Sequence, residues 1–178
     1  MSDKLLLKLQ EIGAIKFGNF TLKSGISSPL YIDLRETISF PPLLKEITEA
    51  LWNKISELKF DRICGVPYTA IPFASCLSIL HSKPMVMRRK EIKEHGTKKL
   101  IEGVFEPGHT CLIVEDLITS GASIFETIAP VEQAGMQVRD IVVFLDREQG
   151  GRQRLEEKGY RLHSVATMTQ LLRTLNKP

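Results

Sequence analysis

The strongest constraint on the fold is a set of short, unbroken apolar runs set between stretches of helical periodicity. They are Ile63-Cys64 behind Arg62, Met85-Val86-Met87, Cys111-Leu112-Ile113-Val114 and Ile141-Val142-Val143-Phe144-Leu145. A strand with one wet face alternates polar and apolar residues. A strand covered on both faces does not, so runs of this kind mark a mostly parallel central sheet flanked by helices, an α/β fold. The spacing predicts helices near Ala70–Leu80, Ser123–Ala134 and Gly151–Lys158. Pro41-Pro42 opens another, with Leu44, Ile47, Leu51, Ile55 and Leu58 as its core face. Before it, Leu5, Leu6, Leu9 and Ile12 have helical spacing that Gly13 ends, and Phe20-Thr21-Leu22-Lys23 reads as a strand into a turn at Ser24-Gly25, continued by Leu30 to Leu34. A chain of 178 residues suits one such domain, with a small N-terminal part over about 1–40 and the core from about 41 to 178.

A hydrophobic content of 43% against 25% charged residues is that of an ordinary globular chain, which argues against disorder. No apolar run is long enough to span a bilayer. The start, Met1-Ser2-Asp3-Lys4-Leu5-Leu6-Leu7-Lys8, is interrupted by charge and lacks a small-residue cleavage site, so it reads as a helix rather than a signal peptide. Cys64, Cys76 and Cys111 form no C-x-x-C pair and lie in apolar stretches, the pattern of buried reduced thiols in a cytoplasmic protein. The charge is unevenly spread. Six basic residues (Arg88, Arg89, Lys90, Lys93, Lys98 and Lys99) crowd one segment against Glu91 and Glu94, while the rest of the chain is slightly acidic. A local excess suits a compact polyanion better than a nucleic-acid backbone.

In a sheet of this type ligands lie at the carboxyl ends of the strands. There the run Cys111–Val114 is followed by Glu115-Asp116, then Leu117-Ile118, then the small-residue turn Thr119-Ser120-Gly121-Ala122-Ser123 and a helix. Two adjacent carboxylates at the end of a buried strand are costly unless compensated. The turn behind them offers backbone N–H groups at a helix N-terminus, a phosphate cradle. Carboxylates for hydroxyls and amides for phosphate together describe a sugar-phosphate site. No Gly-Lys-Ser/Thr follows and no G-x-G-x-x-G occurs, which sets aside a Walker loop and a Rossmann fingerprint.

The segment Leu112 to Gly121 resembles the phosphoribosyl-pyrophosphate (PRPP) motif of type I phosphoribosyltransferases. That family implies the type I fold with an N-terminal hood, ribose hydroxyls on Glu115 and Asp116, and the 5′-phosphate on the turn through Leu117, Ile118, Thr119, Ser120, Gly121, Ala122 and Ser123. Four further segments resemble the orotate phosphoribosyltransferases, most closely those within animal UMP synthases. Phe17 to Gly25 with Ser28 to Asp33 is similar to their hood, Gly65 to Pro72 to their pyrophosphate loop, Arg88 to Gly96 to their mobile catalytic loop, and Leu145 to Gly151 to the segment bearing their orotate-binding arginine.

The resemblance implies orotate on Lys23, Tyr31, Ile32, Thr119 and Arg147. Orotate carries a carboxylate that uracil lacks, and the planar fork of an arginine suits it. It also implies that Arg89, Lys90, Lys93 and His95, with Asp116, serve catalysis. Loss of pyrophosphate builds positive charge on the sugar, and a basic arm that closes over the site neutralises the leaving group and excludes water. Family members share this loop between subunits, so a homodimer exchanging residues 89–96 is expected. Relatives often have a lysine in the pyrophosphate loop where this chain has Thr69, so Tyr68 and Thr69 are expected to act through backbone amides and the hydroxyl. Mg²⁺ is expected as a cofactor held mainly by substrate oxygens, without a protein metal cage.

Two other readings share the motif. A phosphoribosyltransferase for uracil or a purine would not need Lys23 and Arg147 to meet a carboxylate. A PRPP-sensing regulator that binds nucleic acid would carry a helix-turn-helix or a broad basic face, which the chain outside the loop lacks.

Overall fold

The computed structural model describes residues 2–21, 27–89 and 99–175, with the side chains of Ser2, Thr21 and residues 27–29 left aside. Helix α1 (Ser2–Glu11) leads into a hairpin of β1 (Ile15–Thr21) and β2 (Ser27–Ile32), paired antiparallel with Ile15 opposite Ile32. The strand expected to reach Leu34 stops at Ile32 because Asp33 diverts the chain. Its carboxylate accepts the Arg35 N–H and caps a 3₁₀ helix, Leu34–Ser39. Helix α2 (Pro41–Ile55) then begins with Pro at its first positions, where a missing N–H costs nothing. Its buried face carries Leu43, Ile47, Ala50, Leu51 and Ile55, with Leu44 partly buried against the same core, and Leu58 packs there from beyond the helix end.

The main sheet has six strands in the order β5-β4-β3-β6-β7-β8. These are β3 (Arg62–Gly65), β4 (Met85–Arg88), β5 (Ile101–Glu102), β6 (Thr110–Ile118), β7 (Gln137–Asp146) and β8 (Arg161–Thr167). All neighbours pair parallel except β5, which runs antiparallel to β4 at the edge. Helices α3 (Ala70–His81), α4 (Ala122–Gln133), α5 (Gly151–Glu157) and α6 (Met168–Thr174) complete the chain. The four expected runs are all strands. Ile63, Cys64, Cys111, Ile113, Val114, Ile141, Val142 and Val143 have no exposed surface, as strands covered on both faces require. Cys64 and Cys111 are buried free thiols, whereas Cys76 on α3 is only half-buried.

The direction of strand addition reverses between β3 and β6: from β3 the chain adds β4 on one side, and from β6 it adds β7 and β8 on the other. With right-handed crossovers, α3 and α4 then cover opposite faces, and a crevice opens between the carboxyl ends of β3 and β6. Among the described residues no helix is long and apolar enough to cross a membrane.

Candidate active site

Strand β6 runs four residues past the expected end, through Glu115 and Asp116 to Ile118. Its pairing with β7 continues that far, with Glu115 opposite Val143 and Ile118 opposite Asp146. The carboxylates are therefore held on a ladder rather than on a loop. Their side chains leave the strand on opposite sides, as alternate positions must. Glu115 is buried, and its Oε2 accepts the Ser123 hydroxyl at 2.9 Å while Oε1 accepts the Asp116 N–H at 3.0 Å. Half-buried Asp116 accepts the Leu117 N–H through Oδ1 at 2.8 Å. Among the described residues no cation pairs with either. Burial, and then the neighbouring Asp116 charge, hold the Glu115 carboxyl well above the usual carboxylate range. Burial also raises Asp116, in spite of the hydrogen bonds that favour its charged form. The pair can accept further hydrogen bonds from a donor-rich ligand.

Beyond β6 the chain turns through Thr119 and Ser120 to Gly121, whose φ of +80° suits glycine and sets the direction of α4. No side chain caps α4 and no acidic residue occupies its first turn, so its leading N–H groups remain available to an anion. The β7–α5 connection supports this turn from behind. Arg147 N–H donates to the Ile118 carbonyl at 3.0 Å, and Arg154 Nη1 to the Ser120 carbonyl at 2.8 Å, with its guanidinium 5.7 Å from the Phe125 ring centre. Gly151 packs so closely that a Cβ there would strike the Thr119 carbonyl and lie 2.6 Å from Ile118 Cγ1.

A cleft of about 890 Å³ opens over these elements, lined by Ile32 to Arg35, Thr69, the whole segment Glu115 to Ser123, Glu126, Arg147 and Gln149. Of the residues predicted from sequence it gathers Ile32, Thr69, Glu115, Asp116, Leu117, Ile118, Thr119, Ser120, Gly121, Ala122, Ser123 and Arg147. Arg147 is 8% exposed, and burial lowers its pKa. Ser123 lines the cleft, but its hydroxyl is engaged by Glu115. Thr69 stands just before α3 without a side-chain cap bond.

Tyr31, Tyr68 and Arg89 do not line this cleft. The Tyr31 ring lies 5.6 Å from that of Phe20, and its hydroxyl accepts from Arg35 at 3.2 Å. Tyr68, joined to Pro67 by a cis peptide, is 66% exposed. Arg89 Nη1 donates to Glu102 Oε1 at 2.9 Å across the β4–β5 edge. Lys23, Lys90, Lys93 and His95 lie outside the described residues.

Asp33, Arg35, Glu126 and Gln149 also line the cleft, and the sequence reading assigned none of them a role. Asp33 and Arg35 had a local signal, an acid and a base two residues apart behind a hood strand. Glu126 and Gln149 had none, being ordinary helix and loop residues until the fold brought them to the opening. Among the described residues no group of three His, Cys, Asp or Glu side chains could hold a metal ion, so the oxygen donors Glu115 and Asp116 stand without a cage.

Residues 37–165 match the model of the phosphoribosyl transferase domain family. The chain is 51% identical over 170 residues to a uridine 5′-monophosphate synthase of Bos taurus, covering 94% of itself and 35% of that protein, so it spans about a third of that relative's length. An orotate phosphoribosyltransferase of Chlamydia caviae is 41% identical over 177 residues, 98% of this chain and 86% of that one. Among solved structures, an orotate phosphoribosyltransferase from Aeropyrum pernix superposes with a TM-score of 0.88 at 32% identity, covering 97% of this chain and 98% of the other. The UMP synthase of Leishmania donovani gives 0.90 at 36% identity over 98% of this chain and 38% of that one. With a family model across most of its length and relatives of this kind along nearly all of it, the chain belongs to the phosphoribosyltransferase family, in its orotate phosphoribosyltransferase branch.

Proposed function

We propose that this chain transfers the 5-phosphoribosyl group of PRPP to orotate, giving orotidine 5′-monophosphate and pyrophosphate. The observation that carries this reading is the cleft itself, which joins an uncompensated Glu115-Asp116 pair, an uncapped helix start behind Thr119–Ser123, and a buried arginine, Arg147, on the adjacent strand end.

In this reading Glu115 and Asp116 accept hydrogen bonds from the ribose hydroxyls, and the N–H groups of the turn hold the 5′-phosphate. Arg147, reaching in from the end of β7, meets the orotate carboxylate or ring carbonyls, with Ile32 against the ring and the Thr119 hydroxyl nearby. Lys23 and Tyr31 belong to the same proposed orotate seat. The bond from the ribose C1 to pyrophosphate breaks with its electron pair leaving on pyrophosphate, positive charge accumulates on the sugar, and orotate N1 then bonds to C1 with its proton passing to solvent or to the departing pyrophosphate. The protein's task is to orient both partners and to stabilise the departing anion. Tyr68 and Thr69, with Arg89, Lys90, Lys93 and His95, are proposed for that anion.

Mg²⁺ is proposed as the cofactor, neutralising pyrophosphate when bound. The hard oxygen donors Glu115 and Asp116 on the cleft wall suit an ion held mainly by the substrate, with Asp116 assisting through water. A homodimer exchanging residues 89–96 is proposed as the working assembly, and the cytoplasm as its compartment. Three free cysteines support the latter.

The test is orotate absorbance followed with PRPP, with and without Mg²⁺, beside uracil, hypoxanthine and adenine as acceptors. Consumption of orotate that depends on Mg²⁺ is expected. Turnover of the other bases alone would overturn the assignment. Mixing the impaired Asp116→Asn and Lys93→Ala variants tests loop exchange, since activity above that of either variant alone returns only if sites are built across subunits.

A further inference from the structure

We propose that Arg35, at the start of the 3₁₀ helix behind the hood, is a substrate-binding residue that takes an anionic group of the reactants through the open Nη1 edge of its guanidinium. The inference rests on the cleft being the phosphoribosyl-transfer site.

The first ground is the charge of the cleft wall. Its described residues include four carboxylates, on Asp33, Glu115, Asp116 and Glu126, and two cations, on Arg35 and Arg147. The proposed reactants carry a phosphate, a pyrophosphate and a carboxylate, so such a wall would repel them unless each cation it has is used. Arg147 serves one anionic group. Arg35 is the other cation among the described residues that line the cleft.

The second ground is preorganisation. Arg35 is mostly exposed, and an exposed arginine ordinarily swings through many rotamers at an entropic cost on binding. This one is held by three hydrogen bonds along one edge. Its Nε donates to Asp33 Oδ1 and its Nη2 to Asp33 Oδ2, each at 2.6 Å, and Nη2 also reaches the Tyr31 hydroxyl at 3.2 Å. Asp33 is fixed in turn by the Arg35 backbone N–H, at 3.1 Å. This fork-to-fork pair consumes the Nε–Nη2 edge and leaves Nη1 with no partner among the described residues. A guanidinium clamped along one edge presents the other in a set direction, the geometry that suits a phosphate or carboxylate oxygen.

The third ground is placement. Asp33 and Arg35 line the same cleft as Glu115 and Asp116, so the pair shares a wall with the proposed ribose seat, where both the orotate and the pyrophosphate meet C1. The ligand chemistry is an anionic oxygen, and its source is the orotate carboxylate or the pyrophosphate.

The experiment is steady-state kinetics of the full-length protein as wild type, Arg35→Lys and Arg35→Met, with KM measured for orotate and for PRPP and the inhibition constant for inorganic pyrophosphate. A rise of about tenfold is expected in one substrate's KM for Arg35→Met, with partial recovery in Arg35→Lys and kcat changed far less. A rise for orotate assigns the carboxylate. A rise for PRPP, together with weaker inhibition by pyrophosphate, assigns the leaving group. Constants within twofold of wild type for both substrates overturn the proposal, even if Tm falls, because that is the signature of a residue that only braces the hood. Wild-type protein that does not consume orotate at all overturns the underlying function instead.

Discussion

Two neighbouring strands, β6 and β7, both carry carboxylates in their carboxyl-terminal halves, and the molecule treats them in opposite ways. At the end of β7, Asp146 is satisfied on every side. Arg152 Nε donates to Oδ2 at 2.9 Å, the Glu148 N–H donates to Oδ1 at 2.9 Å, and Arg152 continues to the Leu162 carbonyl and the Ser164 hydroxyl. At the start of the same strand Asp140 takes Arg161 at two points and His163 at 2.8 Å. Among the described residues, Glu115 and Asp116 have two backbone N–H groups and one hydroxyl between them. The β7 carboxylates are structural, with cations supplied by the chain. The β6 pair is left for a ligand to complete, at a cost to the ligand-free protein. The difference separates residues that hold the fold from residues that hold the substrate.

The contrast can be broken at either end. Asp146→Ala leaves Arg152 without its partner and is expected to lower stability by about 3 kcal/mol, the low end for a broken buried pair because Arg152 stays partly exposed. Chemical denaturation measures it. Asp116→Asn is expected to do the reverse, keeping or raising Tm while kcat/KM for PRPP falls about 100-fold, some 2.7 kcal/mol of lost transition-state binding. If both variants lost stability alike, the distinction between the strands would be wrong.

Smaller effects sharpen the role of the segment that joins them. Gly151→Ala drives a methyl group into the Thr119 carbonyl and is expected to cost about 2 kcal/mol by thermal melts, with weaker PRPP binding by calorimetry. Arg154→Met removes one exposed hydrogen bond to the phosphate turn and is expected to raise KM for PRPP about threefold.

The subtlest test is pH. The Glu115 and Asp116 carboxyls are raised in the folded state, so the folded protein holds protons there that the unfolded chain has released. Stability of the ligand-free protein from this pair therefore declines as pH rises above the ordinary carboxylate range toward the raised values. Asp140 is lowered by its hydrogen bonds to Arg161 and His163, and its contribution is lost instead as pH falls. Tm against pH for wild type and Glu115→Gln measures the first effect, and the variant is expected to show a shallower decline, the part owed to Asp116 remaining.

Legibility from sequence followed the strength of the local signal. The four apolar runs and the helices between them are strands and helices in the structure because burial on both faces leaves a sequence no other residues to use. Strand β8 went unanticipated. Only Leu162, Val165 and Ala166 of it are buried, while His163 and Ser164 serve the polar network of β7, so it reads as a mixed segment. Of the site, the contiguous stretch Glu115 to Ser123 was legible because its chemistry is written in consecutive residues. Gln149 and Glu126 were not, since each reaches the cleft from an element whose own sequence carries no trace of it. Tyr31 and Arg89 show the converse. Both match a family pattern without lining the cleft itself, Tyr31 bonding to Arg35 at its rim and Arg89 to Glu102.

By itself the sequence determined the parallel sheet and the phosphoribosyl motif at its centre, since hydrophobic period and a run of small and acidic residues are local properties. The tertiary structure alone decided how far β6 extends, which buried carboxylates receive cations, and that Arg35 faces the same cleft as Glu115 and Arg147. Those depend on strand register and on segments distant in sequence, Arg35 standing 80 residues before Glu115 and 112 before Arg147, and only packing the sheet and the hood together brings them to one cleft.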